Sequence, residues 1–120
     1  MKIKITIIVT ALISGCSGLT MNEGSTPFGT LTEIRDANTH IRKYEKIPEN
    51  ATELTSISAD RCHRGYDAPT EGTITTDLVM TAYAYGYDGI KLGEIRKQTG
   101  LIQNCWYILS GTAQVFKLSK

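Results

Sequence analysis

The sequence predicts a small α+β domain of β-β-α-β-β order, with one helix packed on an antiparallel or mixed sheet and one disulfide. Three observations predict it. Ile74, Leu78, Val79, Ala82, Tyr83 and Gly86 recur at the spacing of one helix face. Towards the C-terminus Cys105, Tyr107, Leu109, Gly111, Ala113 and Val115 share one parity while Trp106, Ile108 and Phe116 share the other, the alternation of a long strand. Beyond residue 16 the chain has two cysteines, Cys62 and Cys105.

The N-terminus reads as an export signal. Lys2 and Lys4 precede an apolar run from Ile5 to Ile13, interrupted by Thr6 and Thr10, and Ser14-Gly15-Cys16 follows. That is the charged, apolar and small-residue order of a secretory signal. The run is shorter than the roughly 20 residues a membrane-spanning helix needs. Leu12-Ile13-Ser14-Gly15-Cys16 resembles the bacterial lipobox, in which the cysteine thiol is acylated before cleavage. Residues 1–15 are then the lipoprotein signal peptide and Cys16 is the lipidated N-terminus. Each acyl methylene buried in the bilayer contributes about 0.8 kcal/mol, so several chains anchor a protein stably. Ser17 stands where an aspartate would resemble an inner-membrane retention signal, which favours the outer membrane.

Removal of residues 1–15 takes two of 13 basic residues and none of 12 acidic ones, leaving a chain close to neutral. That balance gives no electrostatic footprint for nucleic acid. Residues 16–39, rich in Gly, Ser, Thr and Asn, read as a flexible tether spanning roughly 25 Å as a random coil. Within it Leu31-Thr32-Glu33-Ile34 fits a short helix or a short strand. The domain occupies residues 40–120.

Ile41 to Tyr44 is a short strand, stopped by Pro48 and the turn-like Glu49-Asn50. Glu53 to Ala59 is a second strand. Asp60 to Gly72, with Cys62, His63, Gly65, Tyr66 and Pro69, reads as a polar connecting loop. The helix follows, with Thr73, Thr75 or Thr76 as its cap, Asp77 suited to the first turns and Gly86 to a left-handed end. Gly89 to Arg96 is a strand, Lys97 to Gly100 a turn, and Leu101 onwards the final strand, with Gly111 a candidate bulge.

If Cys16 carries lipid, Cys62 and Cys105 are the remaining intrachain pair, and an oxidising compartment favours their bond over free thiols. The alternative is two separate buried or reactive thiols. The adjacency Cys62-His63, with His40 elsewhere, invites a metal site or a cysteine nucleophile. A structural metal site needs about four convergent ligands, and no CxxC or HxxxH spacing is present. Neighbours in an extended segment rarely aim their side chains at each other, and no orienting acid or oxyanion hole is evident. The sequence therefore points to no metal, no cofactor and no enzyme. Tyr66, in the loop, and Tyr85, opposite the helix's apolar face, are the candidate partner contacts, because aromatic side chains concentrate at interfaces.

Several stretches resemble the RcsF family of outer-membrane lipoproteins, which feed an envelope-stress phosphorelay. They are Ile41-Arg42-Lys43-Tyr44, Ala59-Asp60-Arg61-Cys62, Ala82-Tyr83-Ala84-Tyr85-Gly86-Tyr87-Asp88-Gly89-Ile90, Asn104-Cys105-Trp106-Tyr107 and Ser110-Gly111-Thr112-Ala113. The resemblance implies a small α/β domain and carries one family disulfide onto Cys62 and Cys105. It further implies loading onto outer-membrane β-barrels by their assembly machinery and signalling through an inner-membrane inhibitor. The family's second disulfide has no counterpart here, and its long proline-rich tether is replaced by one containing Pro27 alone. The expected function is an outer-membrane-anchored interaction or sensing lipoprotein whose domain is periplasmic. The alternatives are a small-ligand or metal-binding lipoprotein and a structural lipoprotein of a secretion or conjugation assembly.

Overall fold

The computed structural model describes residues 22–24 and 30–119, so the signal segment 1–15, the lipid acceptor Cys16 and Pro27 lie outside the described residues. The elements are β1 (Asn22–Glu23), α1 (Leu31–His40), β2 (Arg42–Lys43), β3 (Ala51–His63), α2 (Glu71–Ala84), β4 (Gly89–Thr99) and β5 (Tyr107–Leu118). The fold is α+β, and β2-β3-α2-β4-β5 is the predicted order.

Two elements come from the segment read as tether, β1 and α1, so the domain has two helices rather than one, with α1 packed against α2, and folded structure begins before His40. A capping box starts α1. The Thr30 hydroxyl accepts the Glu33 N–H at 3.1 Å, and the Glu33 carboxylate accepts the Thr30 N–H at 3.0 Å. Its apolar stripe is thin, only Ile34, Ala37 and the C-cap Ile41, which is why a polar composition hid it. Ala37 and Ile41 are buried in the main core.

The sheet has the order β1-β3-β5-β4-β2. Its centre, β3-β5-β4, is antiparallel, and the two-residue strands β1 and β2 pair parallel along the outer edges. β3 continues through Cys62 to His63, which the sequence placed in a loop, because β5 pairs with it in register from Ala59↔Gly111 to His63↔Tyr107. Ser56, Ser58 and Asp60 are exposed on the face away from the helices, so the outward residues of a half-solvated antiparallel strand gave the segment its polar look.

The helix-facing side carries the core. Ile74, Leu78, Val79 and Ala82 from α2 meet Ile90, Leu109, Ala113 and Val115 from β4 and β5. Gly111 aligns with Ala59 in unbroken register and is not a bulge. A Cβ there would lie 2.4 Å from Ile74 Cγ2, so this glycine lets α2 approach the sheet. The irregularities sit instead on the partner strands. Gly93 and Glu94 oppose Thr112 between Leu92 and Ile95, and β3 shifts between Thr52 and Thr55, where Glu53 adopts φ 52°.

α2 starts earlier than the threonines singled out in the sequence. Thr70 is its N-cap, its hydroxyl accepting the Thr73 N–H at 3.2 Å. The helix ends as expected at Gly86, at φ 81°. There the Tyr87 N–H donates to the Ala82 carbonyl and the Gly86 N–H to the Tyr83 carbonyl, the paired bonds of a Schellman end. Tyr83 is not a core residue. It stands 40% exposed with its ring edge-on to His40 at 5.5 Å, because α1 stops at His40 and covers only one side of it.

Candidate functional site

Cys62 and Cys105 are bonded, joining β3 to the chain just before β5 across 43 positions. With Ile108 they form a second buried cluster. Cys62 has the opposite strand parity to Ile57 and Ala59, which pack on the main core, so this cluster lies on the sheet face away from the helices. The sequence expects β5 to begin at Leu101. Instead β4 runs to Thr99, residues 101–104 form a turn, and β5 begins at Tyr107.

The turn is held at several points. Gly100 accepts the Cys105 N–H at 2.8 Å and the Gln103 N–H at 3.1 Å through its carbonyl. A Cβ on Gly100 would sit 2.5 Å from Cys105 Cβ, so a larger residue there would displace the disulfide. Asn104 adopts φ 59°, a conformation that asparagine tolerates better than most residues. Arg64 Nε donates to the Asn104 carbonyl at 3.3 Å and Nη2 to the Gln103 carbonyl at 3.0 Å, while the Trp106 N–H donates to the His63 carbonyl at 2.8 Å. Three apolar side chains nevertheless face outward: Leu101 is 82% exposed, Ile102 95% and Trp106 77%.

His63 and Cys62 are neighbours on one strand and point to opposite faces of the sheet. The His63 ring packs edge-on to Tyr107, with centroids 4.7 Å apart, and its Nε2 lies 3.0 Å from the Gly65 carbonyl. A carbonyl only accepts, so Nε2 is the donor in that contact. Nδ1 is buried with no hydrogen-bond partner among the described residues. Among the described residues no three His, Cys, Asp or Glu side chains converge as a metal site. Cys62, as a disulfide sulfur, is neither thiolate ligand nor nucleophile.

The two candidate contact residues are both exposed, Tyr66 completely and Tyr85 by 71%. They do not form one patch. Tyr66 lies in the loop four residues before the α2 N-cap and Tyr85 is the C-cap, at the other end of a 14-residue helix about 21 Å long. Tyr85 joins a shallow hollow lined also by Asp77, Met80, Thr81 and Ala84.

Sequence reasoning missed the buried pair Arg61–Asp77. Arg61 Nε donates to Asp77 Oδ2 at 2.6 Å and Nη2 to Oδ1 at 2.7 Å, a bidentate fork closed to solvent at 1% and 5% residue exposure. Arg61 Nη1 also lies 3.5 Å from the Gly24 carbonyl, so the same side chain holds α2, β3 and the end of β1 together. A signal was available. Asp77 falls between Ile74 and Leu78 at i+3 and i−1, inside the helix's apolar stripe rather than beside it, where a charge needs a partner.

No family model, curated protein or solved structure matches the chain.

Proposed function

We propose that the chain is a non-enzymatic, outer-membrane-anchored lipoprotein that senses or relays the state of the envelope through protein contacts. The observation that carries this reading is the outward face of α2. From Leu78 to Tyr87 no residue is charged, yet Tyr83, Ala84 and Tyr85 are exposed and Met80 and Thr81 only partly covered. A helix that is uncharged on both sides is ordinarily covered on both. Here the sheet and α1 cover one side, and the other offers a shallow apolar hollow with an aromatic side chain at its rim. Aromatic residues in such positions are the ones whose truncation most often weakens an interface, by 2 kcal/mol or more at about the strongest sites.

The partner is an envelope protein, and the resemblance in the stretches around Cys62, Tyr85 and Cys105 favours an outer-membrane β-barrel or its assembly machinery, with a phosphorelay downstream. Acylated Cys16 supplies the anchor. The exposed Tyr66, before the other end of α2, is a separate contact point outside this hollow.

Capture of envelope proteins by the lipidated chain tests the reading. Tyr85→Ala, at a position 71% exposed, is expected to lower capture of a specific partner by about tenfold or more, a loss of at least ~1.4 kcal/mol, with folding unchanged. Unaltered capture by the folded variant would remove α2 from the interface and the reading with it.

A further inference from the structure

We propose that the β4–β5 turn is a second membrane contact, in which Leu101, Ile102 and Trp106 seat in the headgroup region of the bilayer that holds the lipid anchor. The inference rests on the reading that Cys16 is acylated, and goes beyond it by assigning a face of the folded domain to the membrane.

Placement is the first argument. β1 pairs parallel with β3 at Asn22↔Arg61 and Glu23↔Cys62, two residues or fewer from the end of β3 that carries the disulfide and the turn. Cys16 precedes Asn22 by six positions, and six residues reach about 20 Å even when fully extended. The anchor therefore joins the domain beside the turn. The 24-residue tether read from sequence would have let the domain stand in any orientation. The shorter link holds this end of the sheet near the bilayer.

Composition is the second argument. A large ring with a polar N–H, flanked by aliphatic side chains, suits the membrane–water interface, where tryptophan is enriched. From Ile95 to Ser119 the chain has no acidic residue, so the turn and the strand ends flanking it carry nothing that opposes an anionic surface, and the hairpin's one acid, Glu94, is ion-paired with Arg96 at 3.0 Å. The cations nearest the turn favour one. Lys97 stands 4.2 Å from the Tyr107 ring centroid, and Arg64 is hydrogen-bonded to the turn's own carbonyls. The disulfide and the Gly100 bonds fix the turn's shape in advance, so seating it orders little further backbone.

Trp106 is the sole tryptophan of the chain, which makes its fluorescence a direct probe. The full-length lipidated protein is reconstituted into vesicles of phosphatidylethanolamine and phosphatidylglycerol, with and without brominated acyl chains. On vesicles its emission is expected to shift to the blue, its quenching by iodide to fall several-fold, and the brominated lipid to quench it. Leu101→Ser with Ile102→Ser alters two exposed positions only, and is expected to reverse these changes while the protein still co-sediments through its acyl chains. Co-sedimentation with Trp106 as open to iodide as in detergent-free solution would overturn the proposal and leave the anchor standing, and a protein partner would then be the occupant of the turn. Failure to co-sediment would remove the anchor and the proposal together.

Discussion

Arg61→Met is expected to destabilise the domain by about 3–5 kcal/mol, because it leaves the Asp77 carboxylate buried without its counter-ion. Asp77→Leu is expected to cost a similar amount by stranding the guanidinium. The fork is bidentate and almost free of solvent, so neither partner has water to fall back on. Combining the two substitutions is expected to recover much of the loss, since apolar groups of similar volume replace a buried ion pair at little net cost. Recovery stays incomplete, because Arg61 also reaches the Gly24 carbonyl, which methionine cannot serve. Urea unfolding of the four proteins measures this directly. Losses that add in the double variant would show that the two side chains do not act as a unit.

Cys62→Ser and Cys105→Ser are expected to lower stability equally, by up to about 4 kcal/mol in the chain-entropy treatment of a 43-position closure. The double change is expected to add little, since either single change breaks the same bond. Calorimetry under non-reducing conditions checks both statements. The loss falls at one end of the fold, where Cys62, Cys105 and Ile108 make a cluster separate from the core under the helices. The turn carrying Leu101, Ile102 and Trp106 is then held by the Arg64 and backbone hydrogen bonds without its covalent tie to β3.

The parts of the fold legible in the sequence are those where pattern and packing agree. The apolar spacing of α2, its glycine end and the alternation of β5 from Tyr107 onward all appear in the structure, because each buries one regular face. β3 was cut short, since its outward residues are serine and aspartate and its inward ones include Arg61, so no hydrophobic alternation marks its last turn of pairing. α1 was hidden for a related reason: three apolar positions suffice where α2 supplies the rest of the contact. Gly111 was misread because a glycine in a strand signals either a bulge or a close approach, and only the position of Ile74 decides between them. Of the candidate site, the cysteine pair and the exposure of Tyr66 and Tyr85 could be anticipated from residue type and placement. The exposed apolar turn could not, because Leu101 and Ile102 extend the alternation of β5 in sequence while standing outside its pairing in space.

The central claim is that the outward face of α2 meets an envelope protein. A photoreactive phenylalanine analogue placed at the exposed position 84 or 85 of the full-length lipidated protein, irradiated in intact envelopes, tests it most directly. A discrete protein adduct from both positions, absent when the analogue replaces the exposed Thr112 on the opposite face of the sheet, is the expected result. No adduct from either position, in protein that is folded and membrane-bound, would contradict the claim.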